Sequence, residues 1–346
     1  MNALHAGTVA ARWQNWGRTL VQLDSSVITP VELIDRAIRA AEGLNRGIVV
    51  DRMDEAELRT RGYDLAMAVN RGSTVPAAGV VLEYRGCPTS KSVIDLVGKG
   101  VTKDNGGEAL KPAASSAEMH MDMAGAASAF AIFLTAVELG LKVNLRCRVI
   151  GVRNVLGSSS YSNGDVIHSG ILGKDVRIIN TDAEGRLVLI EQIAAARKDK
   201  TTLIIDLATL TGAACVALKD MTAIFTNRHM LGRSVMVMAM AAGDPAWEMP
   251  SNQALLKELL DVADGADIGN SALGKEGGAG RAAEFLFWGN AGEAHLHLDI
   301  APQLANGKTT GWRVKGGEAP QVRTIVRLLE FISHKGQDQW VRNHLV

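Results

Sequence analysis

The chain has 346 residues, of which 47% are hydrophobic, and its 37 lysine and arginine residues balance its 37 aspartate and glutamate residues. This apolar content is enough for a large core, and the neutral balance excludes a global field that would attract nucleic acid or an anionic membrane. The sequence lacks a run of roughly 18 apolar residues and a signal-peptide core at its start, so we expect a cytoplasmic protein with no membrane or nucleic-acid partner.

The first predicted elements alternate between helix and strand. Apolar residues recur at helical spacing from Pro30 to Leu44, and Thr29 stands at the N-cap position before them. The sequence GIVVDRM then predicts a strand, and a second helix is expected over about Glu55 to Val69. The β-branched sequences VVLEY and SVIDLVG predict two buried strands.

The alternation continues through the rest of the chain. Ala124 to Leu139 predicts a helix of small residues, VNLRCRVIG a strand, and Glu184 to Ala196 another helix. TTLIIDLATLTG predicts a strand that runs into a Gly-ended loop, and the glycine-rich stretch Gly265 to Gly280 predicts a long surface loop. HLHLDIAP then predicts a strand, and Val322 to Phe331 a closing helix.

Regular alternation of strands and helices indicates an α/β fold. We expect a mixed, largely parallel sheet sandwiched between helices on both faces. In such sheets, ligand sites gather at the carboxyl ends of the strands. Unusual residues fall there in this sequence, because Lys99 follows DLVG and the stretch from Asp206 to Gly212 ends another predicted strand.

Charged residues are concentrated in three short segments, each of which follows a strand or opens a helix. VGKGVTKDNGGEALKP contains Lys99, Asp104 and Lys111, MHMDMAGAA contains Asp122, and NTDAEGRLVL contains Asp182, Glu184 and Arg186. Carboxylates gathered at strand ends repel each other unless cations lie between them. The segments therefore predict a binuclear metal centre. A phosphate-binding loop is the alternative, but GxxxxGK[ST] and GxGxxG do not occur in strand-to-helix context.

Each of these features also has a simpler interpretation. The DAEGR sequence alone is compatible with a charged helix start, and Lys99 or Lys111 alone with a solvated surface lysine. His295 and His297 alternate on one strand face and suggest metal ligation, although the carboxylates already supply a complete site. Three methionines alternate around Asp122 and predict core packing, with one of them able to touch the pocket: Met119, Met121 and Met123.

NTDAEGRLVL resembles the signature of the leucyl aminopeptidase, or cytosol aminopeptidase, family of two-metal metallopeptidases. The segments VGKGVT-D-GG, LKP, DM-GAAS, DLATLTGA and HLDIA resemble its other landmarks in the same order, from about Thr29 to Phe331. The resemblance implies a connecting segment at residues 1–28 and the family's catalytic domain at residues 29–346. Because the chain starts near the connecting helix, we expect the family's amino-terminal domain to be absent.

The resemblance implies a set of metal ligands. Asp104 and Glu184 would bridge two divalent metals, with zinc favoured and manganese or magnesium as alternatives. Lys99 and Asp122 would complete the tighter site, and Asp182 the looser one. Because a lysine can ligate only as the neutral amine, the nearby cations must depress its pKa strongly.

The resemblance also implies how the reaction proceeds. Water activated by the two metals would attack the scissile carbonyl, and protonated Lys111 would stabilise the oxyanion that forms. Arg186 would hold a bicarbonate ion that carries a proton from water to the leaving amine. Four residues are expected to line the substrate cleft: Thr209, Leu210, Thr211 and Gly212.

The function implied is that of a metalloaminopeptidase, which releases amino-terminal residues, preferably leucine or another apolar residue, from peptides. Members of the family assemble as hexamers, so a homo-hexamer is expected.

The alternative is a weakened or inactive relative that serves as a structural or interaction protein. Lys103 and the missing amino-terminal domain motivate it. The family usually has an aromatic or apolar residue before Asp104, and a cation there weakens metal binding unless it points away. Asn105 also departs from the family's usual small hydroxyl residue.

Overall fold

Helices and strands alternate along the computed structural model, which describes residues 3–274, 276–311 and 313–345. The helices are α1 (Ala3–Gln22), α2 (Pro30–Glu42), α3 (Glu55–Thr60), α4 (Asp64–Asn70), α5 (Ala113–Ala117), α6 (Ala124–Glu138), α7 (Gly185–Lys198), α8 (Gly212–Leu218), α9 (His229–Ala242), α10 (Gln253–Asp261), α11 (Gly278–Asn290), α12 (Val322–Lys335) and α13 (Gln337–His344). The strands are β1 (Val49–Asp54), β2 (Ala78–Arg85), β3 (Ile94–Asp104), β4 (Asn144–Asn154), β5 (Val166–Ser169), β6 (Lys174–Arg177), β7 (Leu203–Ala208), β8 (Thr222–Thr226), β9 (Ala246–Glu248), β10 (Ile268–Gly269), β11 (His295–Asp299), β12 (Ala305–Asn306) and β13 (Gly316–Gly317).

The main sheet has the strand order β1-β2-β4-β3-β7-β11-β8-β9. The central strands β4, β3, β7 and β11 pair in parallel, and so do β8 and β9. The pairings β1–β2, β2–β4 and β11–β8 are antiparallel. The predicted mixed, largely parallel sheet is therefore confirmed, and its parallel centre directs the carboxyl ends of β3, β4, β7 and β11 towards one edge.

Helices cover both faces of the main sheet. Successive residues of β3 point to opposite faces, so that Leu96 belongs to the core beneath α6 and α12 while Val97 belongs to the core beneath α4 and α7. This two-sided burial explains why the central strands read as nearly continuous apolar runs. Within the described residues, we find no helix that is long and apolar enough to span a membrane.

Helix α6 lies unusually close to the sheet, because glycines face each other across the contact. A Cβ atom on Gly98 would lie 2.6 Å from Cα of Ala126, and one on Gly125 would lie 2.1 Å from the carbonyl oxygen of Leu207. No side chain fits at either position without displacing backbone. The contact fixes the start of α6, and with it Asp122, against β3 and β7.

The helix predicted over Glu55 to Val69 is wrong as a single element. The chain forms α3 and α4 instead, and the break lies at Gly62, whose φ of +81° is outside the helical region. A Cβ atom at Gly62 would lie 2.9 Å from the backbone nitrogen of Ile171, so the turn is also tightly packed. The helix at Pro30 is confirmed, with Thr29 Oγ1 accepting from the Glu32 amide at 3.1 Å.

Three predicted boundaries near the sheet edge also differ. Strand β3 continues to Asp104, so Lys99 lies within the strand rather than after it. After β7 the chain enters α8 at Gly212, where Thr211 Oγ1 caps the helix by accepting from the Ala214 amide at 3.1 Å. The stretch from Gly265 to Gly280 is not all loop, because it contains β10 and the start of α11.

The amino-terminal helix packs on the body of the fold. Gln14 Nε2 donates to the carbonyl of Ala319 at 3.0 Å, and Trp13 Nε1 donates to Glu138 at 2.6 Å. Val21 is fully buried in the same core as α6. A boundary between residues 28 and 29 stays a prediction.

Candidate functional site

Three carboxylates converge at the carboxyl edge of the main sheet. Asp104 ends β3, Asp122 precedes α6, and Glu184 is the N-cap residue of α7. Each offers an oxygen atom within 4.8 Å of the others, and the residues are only 1 to 3% exposed. Two of the three lie at helix starts, where the helix dipole favours negative charge. The fold therefore concentrates negative charge in a nearly closed space.

Two lysines lie among these carboxylates. The Nζ atom of Lys99 is 2.8 Å from Asp122 Oδ2 and 2.8 Å from Glu184 Oε1, and it donates to the carbonyl of Thr209 at 2.9 Å. Lys111 Nζ lies 2.9 Å from Asp104 Oδ2 and also contacts Asp182. The predicted cluster of three segments is thus brought together in space.

Burial and mutual repulsion shift the protonation of the cluster. Burial raises the pKa of Asp122 well above its ordinary range; Lys99 opposes this rise, and the carboxylates of Asp104 and Glu184 add to it. Burial alone would lower the pKa of Lys99, but Asp122 and Glu184 more than offset this and raise it. Carboxylates in such surroundings bind protons or cations strongly.

Two polar residues orient the carboxylates, and the sequence revealed neither contact. Asp104 Oδ1 accepts from Asn154 Nδ2 at 2.9 Å and from the Gly106 amide at 2.8 Å, which leaves Oδ2 facing the cluster. Thr209 was expected in the substrate cleft, but its Oγ1 also donates to Asp122 Oδ1 at 2.6 Å. Asn154 ends β4 directly beside Asp104, so only the pairing of the two strands reveals its role.

The donor atoms fit divalent cations. Glu184 Oε2 is buried and has no hydrogen-bond partner among the described residues, so an acceptor points into the cluster unused. Carboxylate oxygens with a single amine match the preferences of zinc, manganese and magnesium better than those of soft, thiolate-seeking metals. The residues present are therefore suited to hold the metal ions that the sequence predicts.

The cluster lies on the floor of a cavity of about 350 Å³. All the predicted site residues except Arg186 line it, including the stretch from Thr209 to Gly212. The sequence left open which methionine touches the pocket, and Met119 lines it, whereas Met121 and Met123 are buried in the core. Leu304 and Ala301 add apolar surface to the same wall.

Arg186 lies in a second cavity of about 850 Å³, which shares Asp182 and the Leu210–Gly212 stretch with the first. Its Nη1 donates to the carbonyl of Asn270 at 2.8 Å, while its Nε is buried with no hydrogen-bond partner among the described residues. Burial lowers the pKa of Arg186 to about 10. Arg281, which the sequence did not reveal, lines the same cavity and adds a second positive charge to it.

The two histidines on β11 bond to a different residue. His295 Nε2 lies 2.6 Å from Asp206 Oδ2, and His297 Nδ1 lies 2.7 Å from Asp206 Oδ1. All three side chains are fully buried between β7 and β11. The geometry places these histidines in a buried hydrogen-bonded cluster with Asp206 inside the sheet.

Lys103 points away from the carboxylates. Its Nζ donates to the carbonyl of Ser116 at 2.8 Å, and it does not line the cavity that holds the cluster. Because Lys103 points away, its positive charge does not oppose metal binding at the carboxylates.

Comparison with known proteins identifies relatives over nearly the whole chain. Residues 15–326 match the family model described as "Cytosol aminopeptidase family, catalytic domain". A protein of Streptomyces coelicolor and one of Alkaliphilus oremlandii, both named "Probable cytosol aminopeptidase", are 38% and 36% identical to this chain. The matches cover 95% and 94% of this chain but 63% of each relative, so the chain spans a little under two thirds of their length.

Solved structures agree with the sequence relatives. The bottromycin maturation enzyme BotP in complex with Mn has a TM-score of 0.89 and 31% identity, over 96% of this chain and 72% of that one. A cytosol aminopeptidase from Coxiella burnetii has a TM-score of 0.86 and 32% identity, over 94% and 69% of the two chains. With the family model matched from residue 15 to residue 326, these comparisons establish that the chain belongs to the cytosol aminopeptidase family.

Proposed function

We propose that this protein is a metal-dependent aminopeptidase that releases amino-terminal residues from peptides. The observation that carries the proposal is the convergence of Asp104, Asp122 and Glu184 with two lysines on the floor of an open cavity. Membership of the family and the names of its relatives support the same activity. A buried carboxylate cluster of this kind destabilises a fold unless it serves to bind cations.

The proposed cofactors are two divalent metal ions. Asp104 and Glu184 would bridge them, Lys99 and Asp122 would complete one site, and Asp182 the other. Zinc is favoured, and manganese and magnesium are the alternatives; the complex of BotP with Mn supports manganese. When bound, two such ions polarise a peptide carbonyl and lower the pKa of a shared water molecule.

The chain's own charged side chains then serve the reaction in two places. Lys111, whose Nζ lies 2.9 Å from Asp104, would donate a hydrogen bond to the oxygen that becomes negatively charged as the carbonyl is attacked. Arg186 lines the adjoining cavity, and its Nε has no hydrogen-bond partner in the part of the chain that the structure describes. It would hold a bicarbonate ion, which would supply a proton carrier for the leaving amine. The Lys111 and Arg186 side chains would therefore act on the two sides of Asp182, which lines both cavities.

The cavity walls support a preference for apolar first residues such as leucine. Met119, Ala301 and Leu304 contribute apolar surface to the cavity, and the stretch from Thr209 to Gly212 also lines it. A cytoplasmic location is proposed from the names of the relatives. A homo-hexamer is likewise part of the proposal.

The competing function, a structural or interaction protein without activity, loses one of its two motives. That motive was a Lys103 cation opposing the metals, whereas the Lys103 ammonium is bonded to the Ser116 carbonyl outside the cavity. Four of the five predicted ligands also converge directly, namely Lys99, Asp104, Asp122 and Glu184. Asp182 joins them through Lys111, which contacts both Asp182 and Asp104.

The first experiment measures hydrolysis of leucine p-nitroanilide by the metal-stripped protein after zinc, manganese or magnesium is added. We expect no activity without metal, restoration by at least one of the ions, and about two bound ions per chain at saturation. A folded protein that binds no metal and remains inactive with each ion would contradict the proposed function.

Replacing Lys111 by methionine tests its assigned role. The variant keeps most of the side-chain length but loses the donor, so kcat should fall about 10²- to 10³-fold, as when an oxyanion-stabilising donor is removed. Steady-state kinetics at saturating metal measure the effect. A variant that loses activity only through a higher KM would instead place Lys111 in substrate binding.

A further inference from the structure

Residues 105–119, which we term the cavity segment, form one wall of the cavity. Lys111, Pro112, Ser115 and Met119 all line the cavity from this segment. Its base is closed by a hydrogen bond from the Asp104 amide to the carbonyl of Met119 at 3.1 Å. The position of the wall, and of Lys111 on it, therefore depends on what holds the segment in place.

Apolar packing does not hold the middle of the cavity segment. Helix α5, which spans Ala113 to Ala117, has no buried residue. A five-residue helix without a buried face has little intrinsic stability. Polar ties must therefore keep this part of the segment in one conformation.

Two side chains next to Asp104 supply these ties, and both reach the same residue. Lys103 Nζ donates to the carbonyl of Ser116 at 2.8 Å, and Asn105 Oδ1 accepts from Ser116 Oγ at 3.2 Å. The Asn105 carbonyl also accepts from the Lys111 amide at 2.9 Å. Lys103 and Asn105 thus both hold the segment at Ser116 in α5, and Asn105 also holds it at Lys111.

The local backbone explains how a cation next to Asp104 faces outward. The pairing of β3 with β4 shifts register between Val101 and Lys103, and beyond the shift Lys103 pairs with Arg153. The two cations diverge, because Arg153 donates to the carbonyl of Ser25 while Lys103 donates to Ser116. Each satisfies a backbone carbonyl on a different neighbouring segment.

We infer that Lys103 and Asn105 are positioning residues, which hold the cavity segment and thereby place Lys111 and Met119 for the substrate. The effect on turnover rests on the proposed function, whereas the effect on the segment itself does not. Neither side chain touches the cavity, so both act through the segment that they hold.

The test compares Lys103→Met with Lys103→Arg and with Lys257→Met. Methionine keeps most of the length of the lysine side chain and removes the charged donor, and arginine restores a donor. Lys257 is paired with Asp261 on α10 and is an exposed control. Hydrogen exchange of the metal-free proteins reports on the segment, and steady-state kinetics and metal titrations report on the site.

In Lys103→Met, amide exchange within residues 105–119 should quicken about fivefold or more, because the tie that opposes local opening is lost. With metal bound, kcat/KM should fall about tenfold, the usual result of losing one charged hydrogen bond, while metal affinity changes less than about twofold. Lys103→Arg should recover most of both effects, and Lys257→Met should show neither.

Two results would overturn the inference. Unchanged exchange in the segment would show that Lys103 does not hold it, and a loss of metal affinity as large as the loss of activity would place Lys103 in the metal centre. An inactive parent protein would count against the proposed function, and the exchange measurement alone would then decide the role of Lys103.

Discussion

Replacing Glu184 by glutamine should abolish peptide hydrolysis while the fold survives. The carboxylate is proposed to bridge both metals, and glutamine has nearly the same shape but no charge to bind them. Loss of metal assistance worth about 4 kcal/mol corresponds to a fall of roughly a thousandfold in kcat/KM. Metal content measured by mass spectrometry should fall in parallel, and circular dichroism should remain unchanged.

The control for this variant is Glu57→Gln, at an exposed residue that pairs with Arg61 on the surface. It should keep both metal content and activity. If Glu184→Gln retained its metals and more than a tenth of the parent activity, Glu184 would not be a bridging ligand.

Replacing Asp206 by asparagine should lower the free energy of unfolding by about 3 kcal/mol or more near pH 5.5, the usual cost of breaking a buried ion pair. Asp206 is fully buried and bonds to both His295 and His297. Asparagine can accept a hydrogen bond from only one of the two imidazoles, through its Oδ1, and it cannot compensate a buried positive charge. Urea unfolding measured from pH 4 to pH 9 checks the value.

The pH dependence of this loss of stability follows from the shifted pKa values of Asp206 and His297. Burial alone would raise the pKa of Asp206, but the two histidines lower it, so its stabilisation is present above the ordinary value of 3.8 and is lost as pH falls through the lowered pKa. Burial alone would lower the pKa of His297, but Asp206 raises it above the ordinary 6.5. The stabilisation by His297 is therefore complete below pH 6.5 and is lost as pH rises through the raised pKa.

Both contributions coexist between about pH 4 and pH 6.5, so the destabilisation by Asp206→Asn should be largest there and smaller at pH 9. A matched variant, Asp51→Asn, removes the exposed partner of Arg61 and should cost less than about 1 kcal/mol at every pH. A loss for Asp206→Asn that is equally small, or constant across the range, would contradict the ion-pair assignment.

The sequence was sufficient to predict the sheet and most of the cluster, for a physical reason. Parallel strands share one carboxyl edge, and a helix that leads into such a strand begins at that edge. Residues after SVIDLVG and at the helix start in NTDAEGRLVL therefore had to meet there once the elements were recognised. The alternation of helices with apolar strands is a local sequence pattern, and it was enough to predict the parallel sheet. The carboxylates of Asp104, Asp122 and Glu184 were therefore found without any knowledge of distances.

Other features depended on contacts between distant segments and could not be predicted. Asn154 orients Asp104 only because their two strands end side by side, and the direction of Lys103 is set by a register shift that no local pattern marks. The break between α3 and α4 at Gly62 also depends on a contact with a distant segment. Glycine is tolerated inside a helical pattern, and it is the packing against Ile171 that selects the left-handed turn.

The close approach of α6 to the sheet has a consequence for the thermodynamics of ion uptake. Because Gly98 and Gly125 leave no room between helix and strands, Asp122 cannot move far from Lys99 when the ions are absent. Little conformational entropy then remains to be lost on binding, and the favourable entropy of releasing water from the ions is retained. Calorimetry of metal binding should accordingly show a heat-capacity change far smaller than that of a site that folds around its ion.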